Sequence, residues 1–162
     1  MIACMVMDMK RNNRGFTLVE IVIAVAILAI LIGIAAPVLL GNVNKTKMTT
    51  DKANAATIGQ TAMLVVAEAD GSGKFEDVFG TDVVIDDISD LSGDNTGFGK
   101  LFAGKLDTST MKPKASGYSA FSLYITSSDS DQAEALVYAK PSGGGKLIQL
   151  WPEVEDTKNY GR

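Results

Sequence analysis

The sequence has no histidine, one cysteine and few aromatic residues, which make up 7% of its 162 positions. Without imidazole, histidine-based catalytic triads and histidine metal ligands are excluded. Cys4 stands alone, before the main apolar run, so no disulfide within the chain can staple the residues beyond it. Whatever folds there is held by packing and hydrogen bonds. Ile2-Ala3-Cys4 has the look of a lipidation box, but no apolar signal precedes it, and we read it as accidental. A basic block is also lacking. The formal charge is −4, which argues against nucleic acid as the main partner. Residues 1–15 hold Lys10, Arg11 and Arg14 against Asp8 alone, so the remainder carries −6.

What the chain has in quantity is hydrocarbon. No charged residue lies between Ile21 and Asn44, and Ile21–Leu40 is aliphatic apart from Gly33 and Pro37. About 20 apolar residues, at about 1.5 Å each, match a hydrocarbon core of about 30 Å. The preceding Lys10-Arg11-Asn12-Asn13-Arg14 predicts a cytoplasmic amino end and an outward-facing carboxyl end. A cleaved secretory signal, with Gly33-Ile34-Ala35 as its cut site, and a plain membrane anchor are the alternatives. Glu20 counts against both, because a carboxylate in hydrocarbon is costly. Thr17-Leu18-Val19-Glu20 fits a capping box, in which Glu20 reaches back to a free amide at the helix start. Capping accounts for Glu20 but not for Gly15-Phe16 just upstream.

The stretch Arg14-Gly15-Phe16-Thr17-Leu18-Val19-Glu20, followed by an apolar helix and Pro37, closely resembles the processing site and helix of type IV pilins and pseudopilins. The resemblance covers roughly residues 10–45. It implies that a prepilin peptidase cuts after Gly15 and methylates the new amine of Phe16. It also implies that Glu20 pairs with the terminal amine of a neighbouring subunit. The physics makes this intelligible. Cleavage places an ammonium at the positive end of a helix dipole, where a cation is unfavourable. Glu20 lies four residues on, on the same face. Among packed apolar helices such a pair meets little competition from water. It therefore selects axial register, as one buried polar residue does in a coiled coil. Pilins commonly carry a proline where Pro37 stands, and proline removes a helical hydrogen bond. With Gly33 and Gly41 nearby, unwinding is expected between about Gly33 and Gly41 in the assembled state. The implied partners are identical or related subunits, the peptidase, an inner-membrane assembly platform and a motor ATPase. The implied location is the cytoplasmic membrane for the precursor and subunit pool, then a pilus at the cell surface. No cofactor is implied. Family leaders are often short and basic. Met9 would begin such a leader, and Met1 or Met7 a longer one.

Beyond the run, Met48, Ala55, Ile58, Ala62, Val65 and Ala69 recur at helical spacing, with Asp51 as the charged exception on their stripe. Asp70-Gly71-Ser72-Gly73 is a stop signal. One helix from Phe16 to about Ala69 would measure about 80 Å. Val83–Ile85 reads as a small strand and Lys100–Leu106 as a short helix. Tyr118–Thr126, Glu134–Lys140 and Lys146–Trp151 read as an antiparallel meander, with Phe121, Leu123 and Ile125 on one face and the other face wet. Pro152 ends the last strand, and the tail is expected to cover an edge. The expected organisation is a leader at 1–15, a transmembrane and assembly helix at 16–44, and its amphipathic continuation at 45–69. A variable region at 70–117 and the meander with its tail at 118–162 complete the chain. The fold class is α+β: a long amino-terminal helix, membrane-spanning in its first half, whose second half packs on a small antiparallel sheet. Many pilins close the last region with a disulfide, and this chain departs from them there.

Other motifs lead nowhere chemically. Ser142-Gly143-Gly144-Gly145-Lys146-Leu147 fails the phosphate-loop pattern and reads as a hairpin turn. The stretch Asp70–Gly80 lacks the third glycine of a dinucleotide fingerprint and reads as a loop. Asp86, Asp87, Asp90 and Asp94 are weak calcium candidates at spacings unlike an EF-hand. No constellation supports an enzyme. The leading reading is a structural subunit, major or minor, of a type IV pilus. A pseudopilin of a secretion or competence machine is the close rival, and a non-polymerising anchored binding domain the more distant one.

Overall fold

The computed structural model describes residues 15–79, 82–93, 97–126 and 133–153. The expected leader (all but Gly15), Asp94, the Ser127–Gln132 turn and the tail from Val154 lie outside the described residues. The chain divides into two compact units, Met1–Leu40 and Gly41–Arg162. Helix α1, Leu18–Gly71, supplies residues to both.

In the first unit, α1 is apolar around its whole circumference. Its side chains are exposed; Ile34, for example, shows 70% of its surface. A helix hydrophobic on all sides is stable only within lipid or among other helices. It is long and apolar enough to cross a membrane.

In the second unit the pattern changes to one buried stripe. Ala55, Ile58, Ala62, Val65 and Ala69 are all essentially inaccessible to solvent. The helix stops as its sequence dictates. Ser72 N–H donates to Glu68 C=O, Lys74 N–H to Ala69 C=O, and Gly73 takes a φ of 67°. That left-handed conformation is open to glycine at no steric cost.

The sheet has four strands in the order β1 (Val83–Ile85), β2 (Tyr118–Thr126), β3 (Glu134–Pro141) and β4 (Ile148–Trp151), all antiparallel. The register sets Val83 opposite Ile125 and Leu123 opposite Val137. Phe121, Leu123, Ile125, Val137 and Ala139 thus share the face that joins the α1 stripe in one hydrophobic core. The Pro141–Gly145 connection is a turn, with Gly144 and Gly145 at positive φ.

Several expectations need correction. The other face of β2 is not uniformly wet. Ala120 and Ser122 are buried, and the Ser122 hydroxyl donates to Asp86 C=O at 2.8 Å. The short helix α3 runs Gly97–Ala103 rather than Lys100–Leu106, because the chain turns at Gly104, where Lys105 and Leu106 N–H both reach back to Phe102 C=O. The last strand begins at Ile148, two residues later than expected. The segment read as a loop contains a helical turn, α2 (Phe75–Phe79), and a 3-10 helix lies further on at Ile88–Gly93. Phe75, Phe79, Phe98 and Phe102 form a chain of ring contacts with centroids 4.9, 5.5 and 5.4 Å apart. Rings scattered in sequence are contiguous in space, and this burial stabilises elements too short to persist alone.

Two residues of α1 tie down its surroundings. Asp51 is fully buried; its Oδ1 accepts Lys114 N–H at 2.7 Å and its Oδ2 accepts Ala115 N–H at 2.8 Å. A buried carboxylate is tolerated when such donors meet it. This is why a charge sits on the apolar stripe. Gly59 is the second. A Cβ there would overlap the indole of Trp151, so the ring lies directly on the helix backbone. Gly59→Ala should therefore destabilise the folded unit by about 2 kcal/mol through overpacking. Thermal unfolding of the detergent-solubilised protein checks this; an unchanged midpoint would show that the indole can step aside.

Candidate functional site

The start of α1 is built by Thr17. It precedes the first helical residue, Leu18, and is the N-cap. Glu20 N–H donates to Thr17 Oγ1 at 3.2 Å. In return, the Thr17 N–H and hydroxyl donate to Glu20 Oε2 at 2.9 and 2.8 Å. These three bonds are the reciprocal capping box expected from the sequence. Both donors converge on one carboxylate oxygen, and Glu20 stands exposed in the isolated chain, as does Phe16. The carboxylate is thus oriented by its own chain and reachable from outside it.

The other residues singled out along the apolar segment have open surroundings. No atom approaches where a Cβ would stand on Gly15, Gly33 or Gly41. The single chain is helical through Gly33, Pro37 and Gly41. The expected unwinding concerns the assembled state.

Two of the acidic candidates, Asp86 and Asp87, have other employment for their carboxylates. Asp87 Oδ1 accepts Ser89 N–H at 2.9 Å and its hydroxyl at 2.7 Å, starting the 3-10 helix. Asp86 pairs with Lys140 at 3.6 Å. Asp90 N–H bonds Asp87 C=O. Among the described residues, no three acidic or cysteine side chains gather as a metal cage would require. Asp107 repeats the Asp87 pattern: the Ser109 hydroxyl and amide hold its carboxyl below the usual range. Asp51 and Gly59 gave weak signals in the sequence. One was a misfit on an apolar stripe and the other a glycine inside a helix; nothing local named their partners.

Residues 10–36 match the prokaryotic N-terminal methylation motif. That match, over a segment whose helix, cap and exposed glutamate have just been described, supports a type IV pilin-like or pseudopilin-like precursor. No curated protein and no solved structure matches the chain. The prepilin signal implies processing by a prepilin peptidase and assembly into pilus-like polymers, and the apolar helix anchors the precursor in a membrane. The family is one of structural subunits. In this pilin-like chain the threonine after the phenylalanine has a defined local task. Thr17→Ala should loosen the first turn, with amide exchange at Glu20 accelerated about fivefold, the usual effect of losing a cap. Hydrogen exchange read by NMR in micelles measures it; unchanged exchange would mean the turn is held by other bonds.

Proposed function

We propose that this chain is the subunit of an extracellular type IV pilus, made as a membrane-held precursor and polymerised after its leader is removed. The cut falls between Gly15 and Phe16, and the new amine of Phe16 is methylated. Glu20 then pairs with the terminal amine of the adjoining subunit and sets axial register. The apolar half of α1 packs in the fibre core, with the chain unwinding near Gly33, Pro37 and Gly41, and the folded unit faces outward. The observation that carries this reading is the methylation motif at residues 10–36 leading into a helix whose first turn presents an oriented, exposed carboxylate. A carboxylate there is poorly placed for a passive anchor. It is well placed to meet an ammonium, whose attraction strengthens where water is excluded. A pseudopilin of a secretion or DNA-uptake machine would use the same leader and helix, and abundance of surface fibres separates the two.

Gly15→Arg should leave an uncut precursor in the membrane, seen by mass spectrometry as a peptide that spans positions 15 and 16, whereas the native protein should begin with methyl-phenylalanine. Glu20→Leu should insert and be cut normally yet be missing from sheared filaments. Fibres of normal abundance containing that variant would overturn the pairing.

A further inference from the structure

The folded unit separates its charges. Gly41–Ala67 contains Lys45, Lys47 and Lys52 and one acid, Asp51; Thr108–Thr126 contains Lys112 and Lys114 and no acid. Outside these two stretches, Gly41–Arg162 holds seven basic and sixteen acidic residues. The fold brings the two basic stretches together. Asp51 binds the amides of Lys114 and Ala115 across 63 and 64 positions of sequence. Lys52 is its neighbour on α1, and Lys47 lies one turn before it. Asp51 lies buried among them with both oxygens accepting backbone amides, and even counting its charge the five lysines leave the group strongly positive. Lys45, Lys112 and Lys114 are exposed, and Lys47 and Lys52 half-exposed.

The placement of this cluster along the chain identifies its partner. Val43 is the last apolar residue of the run, and Lys45 stands two positions later. Connectivity alone keeps the cluster near the level at which α1 leaves hydrocarbon. Lysine stems can lie along an interface while their ammonium groups reach phosphate. We propose that Lys45, Lys47, Lys52, Lys112 and Lys114 form a basic collar that binds the anionic phospholipid headgroups of the leaflet from which α1 emerges. The collar holds the folded unit against the membrane before assembly. Removal of residues 1–15 takes away Lys10, Arg11 and Arg14, so in the cut subunit the collar supplies all the lysine and arginine side chains flanking the apolar run, which is otherwise bordered in charge only by the new amine of Phe16 and by Glu20. Extraction into a filament must break its contacts. The inference rests on the membrane-anchored reading above but does not require polymerisation.

The test uses the full chain reconstituted into vesicles of phosphatidylcholine, alone or with phosphatidylglycerol. Lysine acylation by a water-soluble reagent is monitored peptide by peptide. With phosphatidylglycerol, labelling of Lys112 and Lys114 should slow about fivefold, the factor expected for one lysine at an anionic surface. High salt should abolish the difference. Lys74, exposed beyond the far end of α1, should label equally in both. The variant K45Q/K47Q/K52Q should retain its fold and show weaker protection at Lys112 and Lys114. Equal labelling in the two vesicle types would overturn the collar. So would protection that tracks protein density rather than lipid composition, since that would assign the lysines to the acidic surface of a second copy. Either failure leaves the filament reading intact, because that stands or falls with Glu20.

Discussion

The folded unit depends on one face of α1 lying flat against the sheet. Ala55, Ile58, Ala62 and Val65 bring small and branched side chains to that face, and Gly59 lets the indole of Trp151 approach the backbone itself. With no disulfide available, this contact takes the part that cross-links take elsewhere. Burial of apolar surface drives it, and close packing makes it unforgiving of added volume. The remaining elements are short, and that contact sets their position. α2 and α3 join the core through the phenylalanine chain, the 3-10 helix joins it through Ile88 and Leu91, and the Asp51 carboxylate fastens the strand-entering segment at Lys114 and Ala115.

The same helix obeys a second rule in its first half. There it is apolar all round, which suits lipid or a bundle and excludes a lone existence in water. One helix therefore serves two solvents. The change of pattern near Val43 marks the border between them, and the lysines just beyond it are where a membrane surface would favour them. A carboxylate at the beginning of the apolar part is the single feature that neither solvent explains. Within the chain it is held by the Thr17 amide and hydroxyl, which reduces the cost of the charge and fixes its orientation.

Much of this was legible before the structure. The capping box, the α1 stripe, the helix stop at Asp70–Gly73 and the alternation of Phe121, Leu123 and Ile125 are local periodicities, and local periodicity survives folding. The limits of α3 and the existence of α2 and the 3-10 helix were not legible. Segments of five to seven residues have too little intrinsic preference to declare themselves, and the burial of α2 and α3 depends on Phe79 meeting Phe98 across nineteen positions of sequence. The buried Ser122 shows the same limitation: alternation predicted a wet face, and a carbonyl from the β1 side covered it.

The sequence by itself determined that residues 10–36 form a prepilin-type signal, that α1 begins at a threonine cap, and that it is wholly apolar and then one-sided. These are properties of neighbouring residues and of a helix's fixed repeat. Only the tertiary structure decided why Asp51 can sit on an apolar stripe, why Gly59 is inside a helix, and that the segment at Lys114 and Ala115 meets α1 beside its lysines. Each of these is a pairing across tens of residues, and which distant amide, ring or ammonium meets a given side chain is set by how the helix and sheet close on one another.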